Sequence, residues 1–247
     1  MKRNEVIYMI LGFIVLIFLV SFSVIQNATR PVDKLEIKFL SDKPNFFLSE
    51  EAIQEIVNQN ESVDIKSLTL HEVDVKKIED KVAKSPYVDS VEVSKDVKGA
   101  IHFDIKTNVP VARIMSPKGE FYISEKGHKM PLSKKNSALV LLVNGDVKES
   151  EFEELSLFVQ TIQKDDLLKN HIIGIEKSGK RSYNLIVNRG KFYIEFGTLN
   201  NFEKKLNNLK LFYEQYINYV GIDQYEKLSL KFVNQVVATK RPVHDEQ

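Results

Sequence analysis

The chain contains no cysteine, which removes disulfide frameworks, thiolate zinc sites, iron–sulfur clusters, cysteine nucleophiles and lipoprotein processing together. Ten glycines and seven prolines in 247 residues are too few for a fibrous or low-complexity chain, and 43% apolar with 28% charged residues is ordinary globular composition. No charge of one sign dominates. The 35 Lys and Arg stand against 34 Asp and Glu, for a net charge of +1. Binding to nucleic-acid phosphates calls for a basic excess, so no nucleic-acid partner is expected.

The motifs of known chemistries are also missing. GIEKSGK, from Gly174 to Lys180, fits seven positions of a phosphate-binding loop, but Arg181 stands where the magnesium-binding hydroxyl belongs. Strand alternation through Tyr183, Leu185 and Val187 replaces the helix such a loop requires, so the segment reads as a hairpin turn. His71 and Glu72 begin a zinc-protease pattern whose second histidine position is Val75. The five histidines, at 71, 102, 128, 171 and 244, are widely separated, and no G-x-S-x-G elbow exists. No catalytic residue, metal ligand set or cofactor is expected, and the chain reads as a non-enzyme.

One long apolar run is present. Val6 to Ile25 holds 20 residues without a charge, about 30 Å as a helix and the thickness of a bilayer's hydrocarbon core. A cleaved signal peptide has a shorter apolar region, of about 7 to 15 residues. The expectation is therefore a cytoplasmic head over 1–5, a transmembrane helix over 6–25 with the lipid bilayer as its partner, and a linker over 26–33. Lys2 and Arg3 orient the N-terminus to the cytoplasm and the remainder outside the inner membrane, in the periplasm.

Beyond the linker, Leu35, Ile37 and Phe39 alternate with charged residues as a half-buried strand. Ser49 precedes a helical stripe of Ala52, Ile53, Ile56 and Val57, and Asp74 precedes another of Val75, Ile78 and Val82 that ends before Pro86. Val91 and Val93, a turn at Lys98 and Gly99, and the alternating Ile101, Phe103 and Ile105 then read as a hairpin. Val111 to Met115 and Phe121 to Ser124 form a second hairpin around Lys118 and Gly119. Phe152, Leu155, Phe158, Val159 and Ile162 share one helical face, followed by a meander over Ile172–Lys177, Tyr183–Asn188 and Lys191–Phe196. The longest helix after the apolar run is expected from about Asn201 to Tyr219, with a frayed tail over 241–247.

SPYVDSVEV from Ser85, the turn at Gly99, AIHFDI, and Pro110, Val111 and Ala112 resemble the POTRA (polypeptide-transport-associated) domain of the FtsQ/DivIB family of cell-division proteins. FYISEKGHKMP from Phe121 is similar to the segment opening that family's second, β domain, with Ser124 in place of the usual Asp. KLSLKFVNQVVATK, Lys227 to Lys240, is similar to its last strand. The resemblance implies an α+β chain: an N-terminal transmembrane helix, a POTRA domain (β-α-α-β-β) over 34–107, and a mixed β domain over 108–240 with a long amphipathic helix and a C-terminal strand. It further implies a bitopic scaffold at the division septum, binding FtsB- and FtsL-like single-span proteins and other divisome components and linking them to septal peptidoglycan synthesis. A POTRA-bearing envelope translocation or assembly component is the alternative, and an extracytoplasmic hydrolase or ligand sensor a more distant one.

Charge differs along the chain, with 12 basic and 16 acidic residues over 30–107 and 21 basic and 17 acidic over 108–247. In the resembled family the last strand is a sheet edge, whose unpaired N–H and C=O groups accept an added strand. Partner binding is accordingly expected at Phe232, Val233, Asn234, Gln235 and Val236, within a strand where Leu228, Leu230 and Phe232 alternate with Ser229 and Lys231.

Overall fold

The computed structural model describes residues 3–41, 47–59, 63–133, 136–217 and 224–242, with the N-terminal helix's side chains described over 8–23. The chain divides into two compact units, Met1–Thr107 and Asn108–Gln247.

In the first unit, helix α1 (Arg3–Ala28) precedes strand β1 (Lys34–Phe39), helices α2 (Glu50–Asn58) and α3 (Val75–Ala83), and strands β2 (Val88–Lys95) and β3 (Ala100–Thr107). Caps fix both short helices. The Ser49 side chain accepts the Ala52 N–H at 3.2 Å and Asp74 accepts that of Lys77 at 3.0 Å, satisfying donors left free in a first turn. Gly99, at φ +106°, makes the β2–β3 turn. The sheet order is β1-β3-β2, with β1 parallel and β2 antiparallel to the central β3. Ile53, Val57 and Val82 from the helices share one core with Val93, Ile101, Phe103 and Ile105.

The second unit contains β4 (Pro110–Ser116), β5 (Gly119–Ser124), β6 (Lys129–Pro131), β7 (Leu141–Asn144), α4 (Phe152–Lys164) and α5 (Asp166–His171). It continues with β8 (Ile172–Gly179), β9 (Ser182–Val187), β10 (Tyr193–Gly197), α6 (Phe202–Phe212), β11 (Tyr225–Ser229) and β12 (Val237–Lys240). Among the described residues these strands form one nine-stranded sheet in the order β12-β11-β10-β9-β8-β7-β4-β5-β6. β7 runs parallel to β4 and β8, and β11 runs parallel to β10. Helices α4 and α5 connect β7 to β8 and α6 connects β10 to β11, whereas β4 reaches β7 through β5 and β6. Leu155, Phe158, Val159 and Ile162 of α4 and Leu206 and Leu209 of α6 join Ile114, Val143, Ile175, Leu185, Ile194 and Phe196 in the core. Phe158 links the layers, its ring 4.8 Å from that of Phe196 and 5.6 Å from that of Phe202. GIEKSGK ends in the β8–β9 hairpin, with Arg181 at φ +58° in the turn.

Three expectations are corrected. First, α1 forms, but among the described residues no helix is long and apolar enough to cross a membrane. The transmembrane helix over 6–25 and its bilayer partner thus give way to a helix whose apolar side chains from Tyr8 to Val20 are exposed. Second, the long helix starts as expected, at Phe202 after an N-cap at Asn201, but from Tyr213 to Ile217 it widens into a π-helical turn. The expected end at Tyr219 lies outside the described residues, as does the tail over 243–247. Third, the segment read as one final strand is two, because the chain reverses between Ser229 and Val237 and pairs β12 antiparallel with β11.

Candidate functional site

The site is the end of the large sheet, built by β11, the 230–236 connection and β12. Alternation places Leu228 in the core and pairs it with Ala238, while Ser229 faces Val237 and Lys227 faces Thr239. Leu230 is buried and its N–H donates to the Glu195 carbonyl at 2.9 Å, prolonging the β10–β11 ladder by one residue. The chain then leaves the sheet. Lys231 pairs with the Glu195 carboxylate at 2.7 Å, and Lys227 lies 3.5 Å from the same group. The Lys231 ammonium first, and Lys227 with it, hold the Glu195 carboxyl below the usual carboxylate range.

The expected partner residues lie in this connection. Phe232 is 59% exposed, Val233 and Asn234 form a turn, Gln235 is exposed, and Val236 packs against the core. The Asn208 side chain of α6 donates to the Val233 carbonyl at 2.7 Å, holding the turn against the helix. The chain turns at Val233 and Asn234, so the alternation through Phe232 does not become ladder. The five residues are therefore adjacent to the sheet edge and are not its strand.

The edge itself is β12, four residues that the sequence reading merged with β11. Arg241 ends it, its N–H donating to the Gln224 carbonyl at 2.8 Å and its guanidinium to the Lys191 carbonyl at 2.6 Å. Because the Arg241 N–H points toward β11, antiparallel alternation turns the N–H groups of Ala238 and Lys240 away from the sheet. Val237 is 43% exposed beside them. The signal available in the sequence was Asn234, a turn-forming side chain within an otherwise alternating run.

Behind the edge, α6 is fixed by a buried lysine. Lys205 is 1% exposed and donates to the carbonyls of Thr198 at 2.8 Å and Phe196 at 3.1 Å, its ammonium 4.9 Å from the Phe196 ring centroid. Burial pushes its pKa down. The arrangement offers main-chain donors and acceptors, an exposed aromatic and a rigid support, which suits the addition of an extended peptide.

A family model described as FtsQ/DivIB, C-terminal related, matches residues 109–239, and one described as a POTRA-like domain matches residues 32–106. No curated protein matches the chain.

Proposed function

Because the chain belongs to the FtsQ/DivIB family, whose C-terminal model covers more than half of its length, we propose that this cell-division protein works as a non-catalytic scaffold at the division septum. It binds FtsB- and FtsL-like partners and through them connects to septal peptidoglycan synthesis. The observation that carries this reading is the edge of β12, open among the described residues, supported along its inner side by β11 and clamped at both ends by the Val233 turn and Arg241. An extended segment of a partner adds beside Val237–Lys240, its main chain pairing with the outward groups of Ala238 and Lys240 and its side chains meeting Val237 and Phe232.

A proline at Ala238 removes one outward donor while leaving the inward ladder in place, which an edge strand tolerates. Calorimetric titration of Ala238→Pro with an FtsB-like extracytoplasmic peptide is expected to show at least a tenfold loss of affinity, corresponding to about 1.4 kcal/mol. Undiminished affinity in a folded variant would place docking elsewhere. In the parent bacterium, depletion of the protein is expected to give filaments with intact envelopes, and normally dividing cells would refute the scaffold role.

A further inference from the structure

His171 ends α5, and its ring reaches across to the end of α6. Its Nε2 lies 2.7 Å from the Tyr213 hydroxyl oxygen, with the two rings edge-on at 4.7 Å, and Phe192 lies 6.4 Å away. Asn188 completes the surroundings, its N–H donating to the His171 carbonyl at 2.9 Å and its side-chain nitrogen donating to the Asn170 carbonyl. The Asn188 Oδ1 is thereby left to accept from the imidazole. In the tautomer that pairs Nδ1–H with that oxygen, Nε2 accepts the Tyr213 O–H.

Tyr213 is 7% exposed and opens the π-helical turn that ends α6. Its neighbour Phe212 packs edge-on against Tyr225, the first residue of β11, at 5.8 Å. The contacts run without interruption from His171 through Tyr213, Phe212 and Tyr225 to the β11–β12 hairpin.

We infer that the His171–Tyr213 hydrogen bond is a proton-sensitive latch on the end of α6, closed by the neutral imidazole and reversed and weakened when the ring is protonated. In the imidazolium both nitrogens donate, so the Tyr213 hydroxyl must turn its lone pairs to Nε2 and its own buried proton loses its acceptor. That weakening loosens Phe212 against Tyr225 and so the hairpin that forms the sheet edge. The consequence for partner docking rests on the proposed β12 site, whereas the latch does not.

The charged groups nearby do not compensate the ring. Arg189 repels its positive charge, Lys169 pairs with Asp166 on α5, and Asp165 pairs with Lys210, which also feels Glu214 on the α6 side. Burial first, and Arg189 with it, lower the His171 pKa against the opposing Asn188 bond. A base depressed in the native state binds fewer protons than the unfolded chain, so its contribution is fully present above the ordinary histidine value of about 6.5 and is lost as pH falls below it.

Amide exchange of Tyr225–Ser229 in the full chain, corrected for intrinsic rate, reads the latch without a partner. Between pH 7.5 and pH 5 the opening equilibrium is expected to rise about tenfold, and His171→Gln is expected to flatten that response. The His171 ring proton resonance in the wild-type protein gives a second readout that needs no variant. A titration at or above about 6.5, or the same exchange response in His171→Gln as in wild type, would overturn the latch.

Discussion

Glu151 is 2% exposed, and both its carboxylate oxygens lie 2.7 Å from the Lys177 ammonium. Tyr183 donates to one oxygen at 3.3 Å and the Lys148 N–H to the other at 3.1 Å, while Lys177 sits 4.8 Å from the Tyr183 ring centroid. Burial alone pushes the Glu151 carboxyl up, yet Lys177 and the Lys148 amide outweigh it and hold the carboxyl below the usual range. Stability from this group is therefore present above the ordinary glutamate value and lost as pH falls through the lowered one. Lys177→Met strands a buried carboxylate and is expected to cost about 3 kcal/mol at pH 7 in denaturant unfolding. It also reverses the sign: Glu151, now raised, favours the folded state when protonated, so the variant's deficit shrinks on acidification toward pH 4. A deficit that stays constant with pH would dismiss the pair as the cause. No local pattern in the sequence joins residues 26 apart, and Lys177 read only as a strand position.

At the scale of elements, the turn between β5 and β6 is fitted onto the start of α4. Ser156 donates to the carbonyls of Ser124 at 2.8 Å and Glu125 at 2.9 Å, and Gln160 donates to Glu125 at 2.8 Å. Gly127 completes the turn at φ +77°, and a Cβ there would lie 2.7 Å from the Glu153 backbone nitrogen. Gly127→Ala therefore combines left-handed strain with a clash against helix backbone, and its melting temperature is expected to fall by at least about 5 °C. Gly179→Ala, whose Cβ would meet only the Ser182 Cβ at 3.8 Å, should stay within about 2 °C of wild type. Equal losses in both would remove the steric explanation. The two turns look alike in sequence, each a glycine beside lysine, and only the helix packed on one of them separates their costs. Asn208 likewise holds the turn of the 230–236 connection, within a run whose alternation alone reads as one strand.

For the molecule as a whole, each unit carries its own buried cluster, one from Val32 to Ile105 and one from Ala112 to Leu230. Residues 108–247 expressed alone are expected to unfold in one cooperative transition with near-native near-ultraviolet circular dichroism, and a featureless melt would contradict a self-contained core. The strand-helix-helix-hairpin order of the first unit and the hairpins and meander of the second were legible along the chain. Alternation, capping and turn residues act over a few positions, and β2–β3, β4–β5 and β8–β9 pair neighbours in sequence. The short β6, β7 and α5 carried too little periodicity to read. The parallel contacts of β7 with β4 and of β11 with β10, the Glu151–Lys177 pair, the His171–Tyr213 contact and the exposure of β12 as an edge are different in kind. Each depends on which distant segments the core brings together, since hydrophobic burial is non-directional and specifies that a residue goes inside without naming its neighbour. The composition and local order of this chain thus decided its elements and its family likeness, whereas packing around each unit's own core decided which strands end its sheet.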